Sequence, residues 1–121
     1  MKKKILIIDD SKDILELTTN LLNSRGYSVT GLSDGRLALS TIETNRPDLI
    51  VLDMLLPDKN GSEICHEIKS NEATKHIPVI ISTGHTNMGE YDDRELLKPD
   101  SILIKPFELD ELIKTIDHFL H

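Results

Sequence analysis

The sequence predicts an α/β protein: one domain spanning residues 1–121, with a five-stranded parallel sheet, doubly wound, and five helices on both faces. Three observations carry that expectation. First, the runs Ile5-Leu6-Ile7-Ile8, Leu49-Ile50-Val51-Leu52 and Val79-Ile80-Ile81 are short, wholly apolar and rich in β-branched residues. Such runs suit strands covered on both faces, as parallel strands are. Second, segments of helical periodicity stand between them, so strand and helix alternate five times, which calls for a parallel sheet with right-handed crossovers. Third, 121 residues is the length of about one domain, enough to bury roughly two-thirds of the unfolded surface around one core.

The elements follow in order. After the first strand, Ser11 is placed as a helix N-cap, and Ile14, Leu15, Leu17, Leu21 and Leu22 recur at helical spacing. Gly26 is suited to close that helix in a left-handed conformation. Residues 28–32 form a weaker strand. Asp34-Gly35 marks a turn into a second helix that takes Leu37, Leu39 and Ile42 inward, and Pro47 prevents its continuation. The central strand is Leu49-Ile50-Val51-Leu52. Ser62 opens a third helix carrying Ile64, Cys65 and Ile68, and Pro78 precedes the fourth strand. A fourth helix over 86–98 is expected to be short or of low stability. It contains Gly89 and the charges Glu90, Asp92, Asp93, Arg94 and Glu95, with only Met88, Tyr91, Leu96 and Leu97 as apolar residues. Ile102-Leu103-Ile104 is the fifth strand. A last helix from about Glu108 presents Leu109, Leu112, Ile113, Ile116 and Phe119 at three- and four-residue steps.

Composition narrows the function. A single cysteine, Cys65, leaves no disulfide scaffold and no thiol-rich metal site. No apolar run approaches the roughly 20 residues of a membrane span. The basic start Met1-Lys2-Lys3-Lys4 leads into too short an apolar stretch for a signal peptide, so a cytoplasmic address is expected. The net charge of −7 disfavours a nucleic-acid surface, because phosphates would be repelled, but it favours a cation.

In open parallel sheets, ligands bind beyond the carboxyl ends of the strands. There the sequence places Asp9 and Asp10 after the first strand, Asp53 after the third, Thr83-Gly84 at the end of the fourth and Lys105-Pro106 after the fifth. Three carboxylates held together repel unless a hard dication such as magnesium neutralises them. A carboxylate can also attack phosphorus and form an aspartyl phosphate. A lysine contacts phosphoryl oxygens as a point charge, and a hydroxyl can donate to the same group. Taken singly, each residue has a plain alternative: Asp9-Asp10 and Thr83 as caps, Asp53 and Lys105 as solvated charges. Their joint placement at four strand ends favours the shared site. Cys65 reads as a core residue, His66 and His76 as surface residues, and His118 and His121 as residues of a fraying terminus.

These residues resemble a receiver domain of two-component response regulators over nearly the whole chain. The matching stretches are Ile5 through Ser11, Asp48 through Pro57, Gly61, Pro78 through Gly84, and Lys105-Pro106-Phe107. The resemblance implies a flavodoxin-like, CheY-like fold with strand order 2-1-3-4-5. It implies that Asp53 is the phosphoacceptor, served by a sensor histidine kinase or phosphotransfer protein, in a phosphoprotein that is no enzyme beyond promoting its own phosphotransfer and dephosphorylation. Magnesium would be held by Asp9, Asp10, Asp53 and the main-chain carbonyl of Leu55. Lys105 would contact the phosphoryl group, Thr83 would swing toward it, and the Lys105-Pro106 bond would be cis. The signal would leave through the face of the fourth helix, fifth strand and fifth helix, toward a downstream target, a fused output domain or a second copy in a homodimer. Neither nucleic acid nor membrane is expected as a direct partner.

The chain departs from that pattern in three places. Ile102 stands where the family often has a switching Tyr or Phe. Lys98-Pro99-Asp100-Ser101 replaces a Gly-Ala-like stretch. Leu55 and His85 occupy positions that tune phosphate lifetime. Other chemistries fit less well. Asp9-Asp10 would repel a flavin phosphate, and no Gly-rich first turn serves a dinucleotide. A metal-dependent phosphatase usually wants a second acid where Leu55 stands. A receiver-fold interaction module that takes no phosphate is the remaining alternative, and acetyl phosphate with magnesium separates it from a receiver.

Overall fold

In the computed structural model, which describes residues 2–54, 56, 60–84 and 99–121, five parallel strands form one sheet in the order β2-β1-β3-β4-β5. The strands are β1 (Lys4–Ile8), β2 (Ser28–Leu32), β3 (Leu49–Asp53), β4 (Val79–Thr83) and β5 (Ser101–Ile104), and the described helices are α1 (Lys12–Ser24), α2 (Ala38–Asn45), α3 (Gly61–Ser70) and α4 (Leu109–Leu120). The expected helix over 86–98 lies outside the described residues. The expected count of five helices therefore meets four among those described.

Alternation along the central strands explains why both faces need cover. Leu6, Ile8, Ile50, Leu52 and Ile81 point to one side and pack with Ala38 and Ile42 of α2 and Ile64, Cys65 and Ile68 of α3. Ile5, Ile7, Leu49, Val51 and Ile80 point to the other and pack with Leu22 of α1 and Leu112, Ile113 and Ile116 of α4. A side-chain period of two thus turns an unbroken apolar run into two cores, one on each face.

The helix ends are set locally. The Ser11 hydroxyl accepts from the Ile14 N–H at 3.3 Å. Tyr27 N–H donates to the Leu22 carbonyl and Gly26 N–H to that of Asn23, a Schellman closure of α1. Gly26 sits at φ +95 with open space around it, so its backbone conformation, not crowding, demands glycine. Glu108 and Glu111 form a capping box at α4.

Three local expectations are corrected. In α2, Ala38 and Ile42 are the buried residues, while Leu37 and Leu39 are 51% and 37% exposed. A 3-10 turn over Gly35–Leu37 precedes α2 and rotates its face relative to a helix begun at Leu37. In α1, Ile14 and Leu17 are exposed and Thr18 is buried with Leu22. Thr18 can be buried because its hydroxyl donates to the Ile14 carbonyl at 2.6 Å. Helix α3 begins at Gly61, one residue before Ser62, because the Asn60 side chain supplies the cap by accepting from the Ser62 N–H at 2.9 Å.

Candidate functional site

The parallel ladder carries the ends of β1, β3, β4 and β5 to one rim. Ile8 is level with Leu52, Asp53 with Ser82, and Thr83 with Ile104. Asp53, the last residue of β3, is 5% exposed, and Asp9, which follows β1, is 4% exposed, whereas Asp10 is open to solvent. One carboxylate oxygen from each of Asp9, Asp10 and Asp53 lies within 4.8 Å of the others. Among the described residues, this is the one group of three His, Cys, Asp or Glu side chains that converges closely enough to hold an ion.

Lys105 follows β5. Its N–H donates to the Thr83 carbonyl at 2.7 Å, its peptide bond to Pro106 is cis, and its ammonium lies 3.3 Å from Asp53 Oδ2 and 3.4 Å from Asp9 Oδ2. Burial favours the neutral amine, but the charges of Asp53 and Asp9 outweigh it and hold the Lys105 pKa above its ordinary value. Asp9 serves two purposes. Its Oδ1 accepts from the Ser11 N–H at 2.9 Å, supporting the start of α1, while Oδ2 faces the lysine. Asp9 thus braces the start of α1 and faces the rim at the same time. Thr83, 1% exposed, stands at the end of β4 on the same rim. Leu55 and His85 lie outside the described residues.

Gly61 was legible only as one residue of a motif; the structure supplies its purpose. A Cβ there would meet the Asp53 carbonyl oxygen at 2.3 Å and the Met54 Cα at 2.8 Å, and the Gly61 N–H donates to the Met54 carbonyl at 2.9 Å. The start of α3 thus presses on the main chain that carries Asp53. The Asn60-Gly61 pair is the local turn signal for this approach. Cys65 is buried, His66, His76, His118 and His121 are exposed, and none belongs to the rim. A hollow of about 980 Å³ opens at the opposite end of the strands, between Ile42, Pro47, His66 and Ile77. It gathers no set of groups comparable to the rim.

Three converging carboxylates could hold a divalent cation, and they stand beside a lysine ammonium. Fold and site together define a flavodoxin-like α/β domain with an acidic rim at the carboxyl ends of its strands. The family model for the response regulator receiver domain matches residues 5–117, and the chain belongs to that family. It is a receiver of two-component signalling, whose function is phosphorylation-dependent. It is 34% identical to the response regulator MprA of Mycolicibacterium vanbaalenii over 93% of this chain and 48% of that protein. It is 28% identical to the DNA-binding response regulator MtrA of Mycobacterium tuberculosis over 96% of this chain and 50% of that protein. The chain therefore spans about half the length of these curated relatives. The chemotaxis response regulator CheY4 of Vibrio cholerae superposes with a TM-score of 0.89 at 28% identity, covering 98% of this chain and 99% of that one. Among the described residues, no helix is long and apolar enough to cross a membrane.

Proposed function

We propose that Asp53 accepts a phosphoryl group from the phosphohistidine of a sensor kinase or phosphotransfer protein. The observation that carries this is a buried carboxylate with an ammonium at 3.3 Å and two further carboxylates within 4.8 Å. A carboxylate oxygen of Asp53 attacks phosphorus, the P–N bond to the donor imidazole breaks, and the imidazole leaves with the bonding electron pair and takes up a proton. Water later attacks the acyl phosphate and returns the carboxylate and inorganic phosphate. The domain promotes these two steps on itself and turns over no other substrate.

Asp9, Asp10 and Asp53, with the main-chain carbonyl of Leu55 implied by the family, would hold magnesium. The ion supplies neutralisation between the anionic nucleophile and the anionic phosphoryl group. Lys105 holds phosphoryl oxygens by charge, and Thr83 donates its hydroxyl to the phosphorylated site. The signal passes along β5 and α4, together with residues 86–98, to a target, a fused output domain or a second copy. In this reading the 121 residues are one receiver domain, working in the cytoplasm, where ATP-fed kinases and free magnesium meet.

Acetyl phosphate with magnesium tests the proposal by intact mass. One added phosphoryl group on wild type and none on Asp53→Asn is expected. Equal modification of both proteins refutes the assignment. No modification of wild type, with intact fold, makes the chain an interaction module, and continuous turnover makes it a phosphatase.

A further inference from the structure

Lys69, on α3, turns its ammonium inward, leaving the side chain only 11% exposed. That ammonium lies 2.6 Å from Asp100 Oδ2 and donates to the Ile77 carbonyl at 2.7 Å and the Lys75 carbonyl at 3.2 Å. Three donors meet three acceptors. Asp100 in turn grips Val79 at two points: its own N–H donates to the Val79 carbonyl at 2.9 Å, and Oδ2 accepts the Val79 N–H at 2.8 Å. A side chain therefore completes the ladder one step before β5 begins.

That placement matters because β5 is a four-residue edge strand paired with β4 alone. Parallel pairing is slightly the less stable kind per residue, and β5 offers only four rungs. Lys105 is the next residue after β5. A slip of one residue displaces it by about 3.3 Å along the strand and reverses the faces of Ile102, Leu103 and Ile104. Such a shift is as long as the distance between the Lys105 ammonium and Asp53.

We propose that Lys69, acting through Asp100, is a positioning residue for Lys105: the α3–Asp100–Val79 clip sets the register of β5 and so holds the lysine ammonium beside Asp53. For its chemical consequence this rests on Asp53 being the phosphoacceptor. Asp9, Asp10 and Asp53 belong to β1, β3 and their ends, with which the clip makes no hydrogen bond.

Lys69→Met keeps an apolar stem of similar length and removes the ammonium. Amide hydrogen exchange and acetyl phosphate kinetics on the intact chain test the clip. The Lys105 amide, bonded to the Thr83 carbonyl, is expected to exchange at least about tenfold faster in the variant, while the Val51 and Leu52 amides of β3 keep their protection. The maximal phosphorylation rate falls about tenfold, as a displaced catalytic group predicts. Magnesium affinity, measured by calorimetry, stays within about twofold, and Lys69→Arg recovers most of the rate, since positioning of Lys105 and not of the metal site has been lost. Wild-type exchange at Lys105 overturns the proposal. A parallel fall in β3 protection and magnesium affinity overturns it as well, because the clip would then be general scaffolding. If wild type takes no phosphate, the phosphoacceptor reading fails by itself, and the Lys105 exchange still decides whether the clip holds β5.

Discussion

Replacing Asp53 with Asn should make the metal-free protein more stable, although most substitutions of buried residues destabilise. The magnitude follows from the rim. At an effective dielectric constant of 20, the attraction between the Lys105 ammonium and Asp53 at 3.3 Å is about 5 kcal/mol. Asp9 and Asp10 each place a carboxylate oxygen within 4.8 Å of one on Asp53, a repulsion of about 3.5 kcal/mol apiece on the same scale before screening. On this scale the two repulsions exceed the attraction to Lys105. Solvent around Asp10 screens its share, while release of a carboxylate that is 5% exposed from its desolvation cost works in the opposite direction. The net expectation is a gain of about 2 kcal/mol, or roughly 8 °C in Tm for a chain of this length. Thermal melts at pH 7 in EDTA measure it. Magnesium at a hundredfold excess over its Kd should stabilise wild type by about 2.7 kcal/mol and the variant by less, so the order narrows or reverses when metal is added. A variant that melts below wild type in EDTA, together with a wild type indifferent to magnesium, refutes the claim that these carboxylates crowd one cation site.

Gly61→Ala forces a Cβ onto the backbone of Asp53 and Met54; it should cost about 1–3 kcal/mol and slow phosphorylation by about tenfold or more, whereas Gly26→Ala, strained only by its φ of +95 and remote from the rim, should lower Tm and leave the phosphorylation rate unchanged. The Tyr27 phenol is pushed up to about 12 by burial, then by its hydrogen bond to Asp117 and the charge of that carboxylate, against a smaller opposing pull from Arg25. A raised folded pKa means a contribution that is complete below pH 10 and is lost as pH rises toward 12; urea titrations of wild type and Tyr27→Phe should converge over that interval, and parallel curves contradict it. Burial likewise pushes the Cys65 thiol up to about 11, against the pull of Lys69, so a thiol reagent at pH 8 should label the native chain at least a hundredfold more slowly than the urea-unfolded chain, in proportion to how rarely the core opens.

Much of this architecture was legible in the residue order because the signals are local. Apolar β-branched runs of three or four residues suit strands covered on both faces, and the structure shows that pattern for β1, β3 and β4. The residues that end those runs are then carried to one rim by the parallel arrangement, so Asp9, Asp10, Asp53, Thr83 and Lys105 could be grouped before any distance was known. Helix boundaries marked by Ser11, Gly26 and Glu108 were equally accessible, since each satisfies or terminates a helix with its own side chain or backbone.

Residue order thus carries the succession of the described strands and the chemical identity of the rim. Which helical face is buried, and at what distance each charge meets its partner, depends on packing between elements remote in the chain. Periodicity says that a helix has an apolar stripe but not where the sheet will meet it; the turn over Gly35–Leu37 rotated α2 so that Ala38 and Ile42 entered the core while Leu37 and Leu39 stayed outside. Charges are less local still. Lys69 and Asp100 stand 31 positions apart with nothing in the intervening order to pair them, and Lys105 and Asp53, 52 apart, could be grouped as residues of one rim but not as an ion pair at 3.3 Å. An ion pair is a property of register across strands and of the low exposure that register creates, and both exist only once the sheet has closed on its two cores.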